Sequence, residues 1–252
     1  MSLAILYVNS KDSDAKYVKE AVKSAVSFRE HLPDARYYLY TNFEGDEPGL
    51  AVFDEVVQRD FIVPDQFKNR VHLNGQMFVK HAAMLDLEED NVLYLGADTY
   101  ALKDDVAELE RVLERFDIAA AHAPVRINTE IGNSSIPEVP KAFPELNCDL
   151  ILYRNSPDVR SFIEKWKSAY FEDMFSHPHD QGTFRYLLYL SNLRLCVLPA
   201  EYNYRGHAFR EDTVILQNRY ALQQYIASNG RPGKPFLRRL LDPIKNSLFA
   251  QP

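Results

Sequence analysis

The first sixty residues alternate between short apolar runs and a helical pattern, and this alternation limits the folds open to the chain. LAILYV (3–8), RYYLYT (36–41) and AVFDEVV (51–57) are apolar runs of strand length. The stretch between the first two repeats apolar residues at helical spacing: Ala15, Val18, Ala21, Val22, Ala25 and Val26. Ser13 or Asp14 can cap this helix. Because parallel strands are joined through a crossover helix, the opening predicts a parallel sheet covered by helices.

The rest of the chain continues the alternation of strands and helices. Apolar runs predict further strands at 91–95, 118–123, 148–153, 194–199 and 213–217. Helical spacing predicts helices around 77–85, over 104–116, from Ser156-Pro157 onward and after 182. Residues 124–146 have no period and predict a long loop. Since no repeat or linker interrupts this pattern, we predict one α/β domain over 1–252, with a mixed, mostly parallel sheet flanked by helices.

Charge and composition argue against several classes of function. The chain has 252 residues and a formal net charge of −7, and this acidic balance offers a phosphate backbone no long-range attraction. We therefore expect no nucleic-acid partner. No apolar run approaches the roughly 18 residues of a transmembrane segment, and the first residues look like a strand rather than a signal peptide. Cys148 and Cys196 lie far apart in apolar runs and are interpreted as reduced thiols, so the predicted location is cytoplasmic.

Polar side chains follow or begin several of the predicted strands. Asn9 ends the first strand, Asp98 follows the run 91–95, and Asp149 lies at the start of the run 148–153. Ligands of open α/β sheets bind at the carboxyl ends of strands, and a carboxylate there suits a hard cation such as Mg²⁺. Taken alone, Asp98 also fits a turn-forming residue. The sequence contains neither the glycine-rich motif of dinucleotide-binding proteins nor the P-loop motif. It also lacks the cysteine and histidine spacing of a zinc site.

Three segments, in order along the chain, resemble segments of a known family. They are YLGADTYALKDDVAEL (94–109), NCDLILYRNSPDVRSFIEKW (147–166) and HDQGTFRYLLYLSNLRLCVLPAEYNYR (179–205). Together they resemble the nucleotide-diphosphosugar transferases, the glycosyltransferases of the GT-A fold, over roughly residues 3–220. The resemblance implies a Rossmann-like GT-A domain. It also implies a nucleotide-sugar donor as substrate and a glycan, lipid or protein as acceptor.

The resemblance assigns roles to individual residues. It places the donor nucleotide against Tyr7, Val8, Asn9, Lys80, Ala97 and Asp98. Asp98 matches the second, metal-binding Asp of the family's D-x-D motif. The acceptor and the transferred sugar would meet Asp149, Asp180 and Gln181, which we assign as catalytic. Two simpler interpretations stay open: Lys80 as a solvated helix lysine, and Asp180 as a helix N-cap.

The sequence departs from the family's metal-binding pattern in two places. Gly96 stands where the first Asp of D-x-D is expected, and Gln217 stands where the family often has a metal-binding His. Gln217 can still offer a neutral carbonyl oxygen. We therefore predict Asp98 and Gln217 as ligands of a Mn²⁺ or Mg²⁺ ion that is bridged mainly by the diphosphate, and we do not expect tight metal binding without nucleotide. His207 is a further candidate ligand.

These departures leave two functions open. The first is a glycosyltransferase that moves a sugar from a nucleotide-sugar donor to an acceptor. The second is a catalytically weak or inactive module that keeps the fold and binds a sugar nucleotide or a glycan. A nucleotidyltransferase is disfavoured, because NSKDSD (9–14) after the first strand is neither glycine-rich nor arginine-rich.

Overall fold

The computed structural model describes most of the chain, in seven ranges. These are residues 1–10, 16–45, 47–67, 75–123, 138–172, 179–206 and 210–217. The candidate helix caps Ser13 and Asp14, the candidate ligand His207 and most of the predicted loop 124–146 lie outside these ranges. The prediction of one domain over 1–252 remains a prediction.

Strands and helices alternate along the described residues. The strands are β1 (Leu3–Val8), β2 (Arg36–Thr41), β3 (Glu55–Gln58), β4 (Asn91–Leu95), β5 (Thr99–Ala101), β6 (Ile118–His122), β7 (Leu146–Arg154), β8 (Leu195–Leu198) and β9 (Ile215–Gln217). The α-helices are α1 (Lys16–Arg29), α2 (Gly75–Asp86), α3 (Leu109–Val112), α4 (Pro157–Phe171) and α5 (Gln181–Leu190). Short 3-10 helices lie at Pro48–Val52, Asp65–Phe67, Asp104–Glu108 and Ala200–Asn203.

The main sheet is mixed and mostly parallel, as predicted. Its strands lie in the order β3-β2-β1-β4-β7-β6-β8, and β7 is antiparallel to both of its neighbours. The other adjacent pairs are parallel. The carboxyl ends of six strands therefore meet at one edge of the sheet, and the beginning of β7 reaches the same edge.

Both faces of the sheet are covered, which explains the continuous apolar runs. All six residues of β1 are buried, and they alternate between two core clusters. Leu3, Ile5 and Tyr7 pack with α1, whereas Ala4, Leu6 and Val8 pack in the cluster that contains the apolar faces of α2, α4 and α5. A strand buried on both faces has no polar alternation. Ser156 caps α4 and Pro157 begins it, as predicted.

Three predicted elements differ from those observed. The predicted strand 51–57 begins late, at Glu55, because Pro48 starts a 3-10 helix that the Phe53 amide closes on the Leu50 carbonyl. The predicted helix 104–116 is a 3-10 helix followed by a single α-helical turn. The predicted strand 213–217 is shorter, and as β9 it pairs with β5 in a separate two-stranded sheet. No helix in the described residues combines the length and apolarity needed to cross a bilayer.

Candidate active site at the carboxyl edge of the sheet

A cleft of about 440 Å³ opens where β1 and β4 end side by side. From β1 the chain continues to β2 and β3, which lie on one side of β1 within the sheet. It then returns to place β4 on the other side of β1. Such a reversal leaves a crevice outside the carboxyl ends of the two strands, and this is where open α/β sheets bind ligands. Asn9 follows β1 and lines this cleft, and Gly96, Ala97 and Asp98 follow β4 and line it as well.

A second carboxylate reaches the same cleft from β7. Leu95 at the end of β4 pairs with Leu150, so Asp149 lies directly beyond the end of β4. The Gly96 amide donates a 2.7 Å hydrogen bond to the Asp149 carbonyl. The antiparallel direction of β7 thus brings Asp98 and Asp149, predicted from different segments, into one cleft.

Because Gly96 has no side chain, it leaves a space next to the Asp149 side chain. A Cβ atom at position 96 would lie 3.0 Å from the Asp149 Cβ and 3.4 Å from its Cγ. The same atom would lie 3.5 Å from Oδ1 of Asp98. The first acid of a D-x-D pair would therefore be crowded against Asp149. In this chain the carboxylate beside Asp98 comes from β7 instead.

Gln217 joins the two carboxylates through β9. Thr99 pairs with Gln217 across β5 and β9, which places the buried Gln217 side chain beside the cleft. Its Nε2 donates to Oδ2 of Asp149 over 2.9 Å, and its Oε1 accepts from Nδ2 of Asn147. The Asn147 orientation is fixed in turn, because its Oδ1 accepts a 2.8 Å hydrogen bond from the Asp149 amide. The amide nitrogen of Gln217 therefore faces the carboxylates.

The environment of Asp98 disfavours its charge. Burial raises the pKa of Asp98, and the nearby Asp149 carboxylate raises it further. The positive charge of Arg205 and a hydrogen bond from the Gln217 side chain oppose this shift without cancelling it. Three acidic residues, Glu20, Asp98 and Asp149, thus share the cleft with the Arg205 guanidinium, and the pKa of Asp98 lies above its ordinary value.

Arg205 is a residue of this cleft that the sequence analysis missed. The backbone N–H of Gln217 donates to the Tyr204 carbonyl over 2.8 Å, and the backbone N–H of Tyr204 donates to the Ile215 carbonyl over 2.9 Å. This contact with β9 places Arg205, the next residue, in the lining of the cleft beside Asp98. Arg205 is the last residue of the third family-like segment, so its position in the sequence was a usable signal.

Tyr7, Val8 and Asn9, at the end of β1, are predicted to bind the nucleotide, and of these three only Asn9 has a side chain that can hydrogen-bond to a ligand. Asn9 is 5% exposed, and its Nδ2 has no hydrogen-bond partner among the described residues. The Tyr7 and Val8 side chains lie in the two core clusters, and the Tyr7 hydroxyl is hydrogen-bonded to Ser24. Gln76 holds this strand end, since its Nε2 donates to the Val8 carbonyl. Binding by Tyr7 and Val8 would therefore use the backbone.

Lys80 and Asp180 form a buried ion pair. Nζ of Lys80 lies 2.9 Å from Oδ2 of Asp180 and 2.8 Å from the Cys148 carbonyl, and the Lys80 side chain is 1% exposed. The interpretation of Lys80 as a solvated lysine is therefore wrong. Burial alone would lower the pKa of Lys80, but the Asp180 carboxylate raises it above its ordinary value. Asp180 occupies the N-cap position of α5, yet its side chain caps no amide.

The ion pair lies beneath the cleft rather than in it. Nζ of Lys80 is 4.7 Å from the centre of the Tyr94 ring, and Tyr94 lines the cleft. Neither Lys80 nor Asp180 belongs to that lining. Gln181, at the start of α5, donates a 2.9 Å hydrogen bond to Glu145. The roles predicted for Lys80, Asp180 and Gln181 therefore remain predictions, and the described contacts of the first two are structural.

The donor atoms of the cleft do not fit a tightly held Mg²⁺ or Mn²⁺ ion. These cations prefer several oxygen ligands. No group of three histidine, cysteine, aspartate or glutamate side chains converges anywhere in the part of the chain that the structure describes. Asp98 and Asp149 supply two carboxylates, but Gln217, the other predicted ligand, turns its NH₂ group toward them and its oxygen toward Asn147.

The fold is that of the GT-A glycosyltransferases. Among solved structures, the chain is similar to the apo form of the glycosyltransferase GlyE from Streptococcus pneumoniae, with a TM-score of 0.60 and 14% identity. The similarity covers 98% of this chain but only 64% of GlyE, so the chain spans about two thirds of that protein. No protein-family model matches the sequence, and neither does any curated protein.

Two further structures are matched over nearly their whole length. The galactosyltransferase LgtC, in complex with donor and acceptor sugar analogues, has a TM-score of 0.55 and 11% identity over 93% of this chain and 98% of LgtC. A glycosyltransferase involved in the glycosylation of the major capsid of PBCV-1 has a TM-score of 0.53 and 11% identity, over 91% of this chain and 99% of its own. Identities this low establish the fold and leave the activity to be argued from the site.

Proposed function

We propose that the protein is a glycosyltransferase that transfers a sugar from a nucleotide-sugar donor to a glycan, lipid or protein acceptor, and that it acts in the cytoplasm. The observation that carries this proposal is the cleft between β1 and β4. It has the size of a small-ligand pocket, and it lies at the switch point of the sheet. It combines the unpaired Nδ2 of Asn9, the carboxylates of Glu20, Asp98 and Asp149, and an arginine.

The polar groups of the cleft suit different parts of a nucleotide sugar. Asn9 has an unpaired N–H donor at the end of β1, which suits a carbonyl oxygen of a base or an oxygen of a ribose. Leaving this donor buried and unpaired costs about 1–3 kcal/mol, so a ligand that accepts from it recovers stability. When ionised, Asp149 and Asp98 act only as hydrogen-bond acceptors, which suits the donating hydroxyl groups of a sugar.

Arg205 is the group best suited to the leaving diphosphate. Glycosyl transfer releases a nucleoside diphosphate, and the charge that develops on it must be stabilised. Among the described residues that line the cleft, Arg205 is the only arginine or lysine. A guanidinium group forms paired hydrogen bonds with phosphate oxygens. We therefore assign Arg205 to the diphosphate, Asn9 to the nucleoside, and Asp149 to orienting the sugar or the acceptor hydroxyl.

A transfer assay tests the proposal. The protein is incubated with UDP-, GDP- and CMP-sugars and a mixed acceptor panel, with Mn²⁺ or with a chelator, and release of the nucleotide is measured. We expect release with one nucleotide class, and we expect Arg205→Ala to lower kcat by about a hundredfold, the size typical of removing one charge-stabilising donor. Arg111→Ala is the matched control, because Arg111 is a largely exposed arginine on α3. Equal rates for the two variants would remove Arg205 from the mechanism.

The second candidate is a module that binds a sugar nucleotide without turning it over. The observation that favours it is the network of Gln217, Asn147 and Asp149, in which an amide nitrogen faces the carboxylates. This candidate predicts nucleotide binding that a chelator does not change, together with no release of nucleotide from any donor. Turnover above the rate without protein, lost in Asp149→Asn, would exclude it.

A further inference from the structure

A second cleft opens farther along the same edge of the sheet. It has a volume of about 680 Å³ and lies at the carboxyl ends of β6 and β8. Arg205 lines both this cleft and the one between β1 and β4. The two clefts are therefore adjacent, with the beginning of β7 between the strand ends that form them.

Asn203 gives the second cleft an unused binding group. It ends the 3-10 helix Ala200–Asn203 and lines the cleft, and it is 7% exposed. Neither its Nδ2 nor its Oδ1 has a hydrogen-bond partner among the described residues. A buried amide with both groups unpaired destabilises the free protein. A ligand that can donate and accept at neighbouring atoms removes this cost.

The rest of the lining pairs an apolar surface with polar groups. Val197 on β8 is 37% exposed, Pro199 is exposed just after the strand, and both line the cleft. His122, at the end of β6, is exposed and also lines the cleft. An apolar surface beside hydrogen-bonding groups fits a sugar ring, which has C–H faces and a rim of hydroxyl groups.

We propose that the second cleft is the acceptor subsite and that it takes a neutral saccharide whose hydroxyl groups pair with the Asn203 amide. A hydroxyl group both donates and accepts, so two neighbouring hydroxyls satisfy Nδ2 and Oδ1 together. A carboxylate or a phosphate could accept from Nδ2 but could not donate to Oδ1. This assignment rests on the proposed glycosyltransferase function, because it places the acceptor across Arg205 from the donor.

The test measures saccharide binding by saturation-transfer NMR. Maltose, lactose, cellobiose and chitobiose are titrated to about 10 mM, a range that detects weak carbohydrate binding, with and without the nucleotide that binds best. A serine-rich peptide serves as the competing class of acceptor. The variants are Asn203→Ala and Val197→Glu, and Asn192→Ala, an exposed asparagine before β8, is the matched control.

We expect at least one disaccharide to bind, and we expect Asn203→Ala to weaken it about tenfold, as for the loss of one or two hydrogen bonds. Val197→Glu should weaken it as well, whereas the control should not. The melting temperature of Asn203→Ala should not fall, since the side chain makes no hydrogen bond in the described structure. Binding of the peptide alone, no saccharide binding, or equal affinity in Asn203→Ala would each overturn the proposal. Nucleotide affinity, measured in the same samples, separates this failure from a failure of the donor site.

Discussion

A comparison of the variants Gly96→Asp and Gly96→Asn separates the effect of steric crowding on stability from the effect of an added charge in the cleft. Either side chain puts a Cβ atom 3.0 Å from the Asp149 Cβ, so both variants carry the same steric cost. A misfit of a few tenths of an ångström in a packed site costs about 1–3 kcal/mol. The two side chains have nearly the same shape, and only Asp adds a negative charge beside Asp98 and Asp149.

The charge difference can be estimated from the geometry. Two like charges about 5 Å apart repel by roughly 3 kcal/mol at an effective dielectric constant of about 20. Because the cleft is open to water, we take about 2 kcal/mol as the difference between Gly96→Asp and Gly96→Asn. For a protein of this size, that corresponds to a melting temperature about 4–8 °C lower for the Asp variant near neutral pH.

The pH dependence and the metal dependence have definite signs. The neighbouring carboxylates raise the pKa of the added carboxyl in the folded protein, so the deficit grows as the pH rises through that pKa and vanishes below about pH 4. Mn²⁺ should narrow the gap at neutral pH, since it binds the folded three-carboxylate site. Calorimetric melting of both variants at several pH values tests this. Equal melting temperatures at about pH 8 would mean that Asp98 and Asp149 do not share a site with position 96.

Further predictions concern the same groups. Asp98→Asn should raise the melting temperature near neutral pH, because the raised pKa of Asp98 makes its charge unfavourable in the folded protein, and the gain should disappear below about pH 4. Lys80→Met should lower the free energy of unfolding in urea by about 3–5 kcal/mol, since it leaves the Asp180 carboxylate buried and unpaired; the double variant with Asp180→Leu should recover most of that loss. Gln217→His combined with Gly96→Asp should make nucleotide binding depend on Mn²⁺ by calorimetry, and unchanged binding would refute the predicted position of the metal ligands.

The sequence predicted the elements whose signal is local. The continuous apolar run of β1 and the cap and proline of α4 depend on residues close in sequence, and both are confirmed. β5 was missed because it has three residues and its partner β9 lies more than a hundred residues later. The prediction of an α-helix at 104–116 was wrong, because the spacing of apolar residues does not distinguish an α-helix from a 3-10 helix followed by one α-helical turn.

Within the candidate site, the sequence located strand ends better than side-chain contacts. Asp98, Asp149 and Asn9 reach one cleft because parallel and antiparallel pairing brings their strand ends to one edge. The burial of Lys80 depends on Asp180, a hundred residues later, and no local pattern indicates it. The direction of the Gln217 amide depends on a hydrogen-bond network through Asn147, which residue types alone do not determine.

The most direct test of the proposed function is a calorimetric titration of the protein with UDP-, GDP- and CMP-sugars in the presence of a chelator. The structure predicts saturable binding of one nucleotide class, weakened at least tenfold in Arg205→Ala and unchanged in the exposed control Arg111→Ala. It also predicts a weaker affinity for Asn9→Ala, because Nδ2 of Asn9 has no partner in the described structure. If no nucleotide sugar binds, with the chelator or with Mn²⁺, the cleft between β1 and β4 is not a donor site.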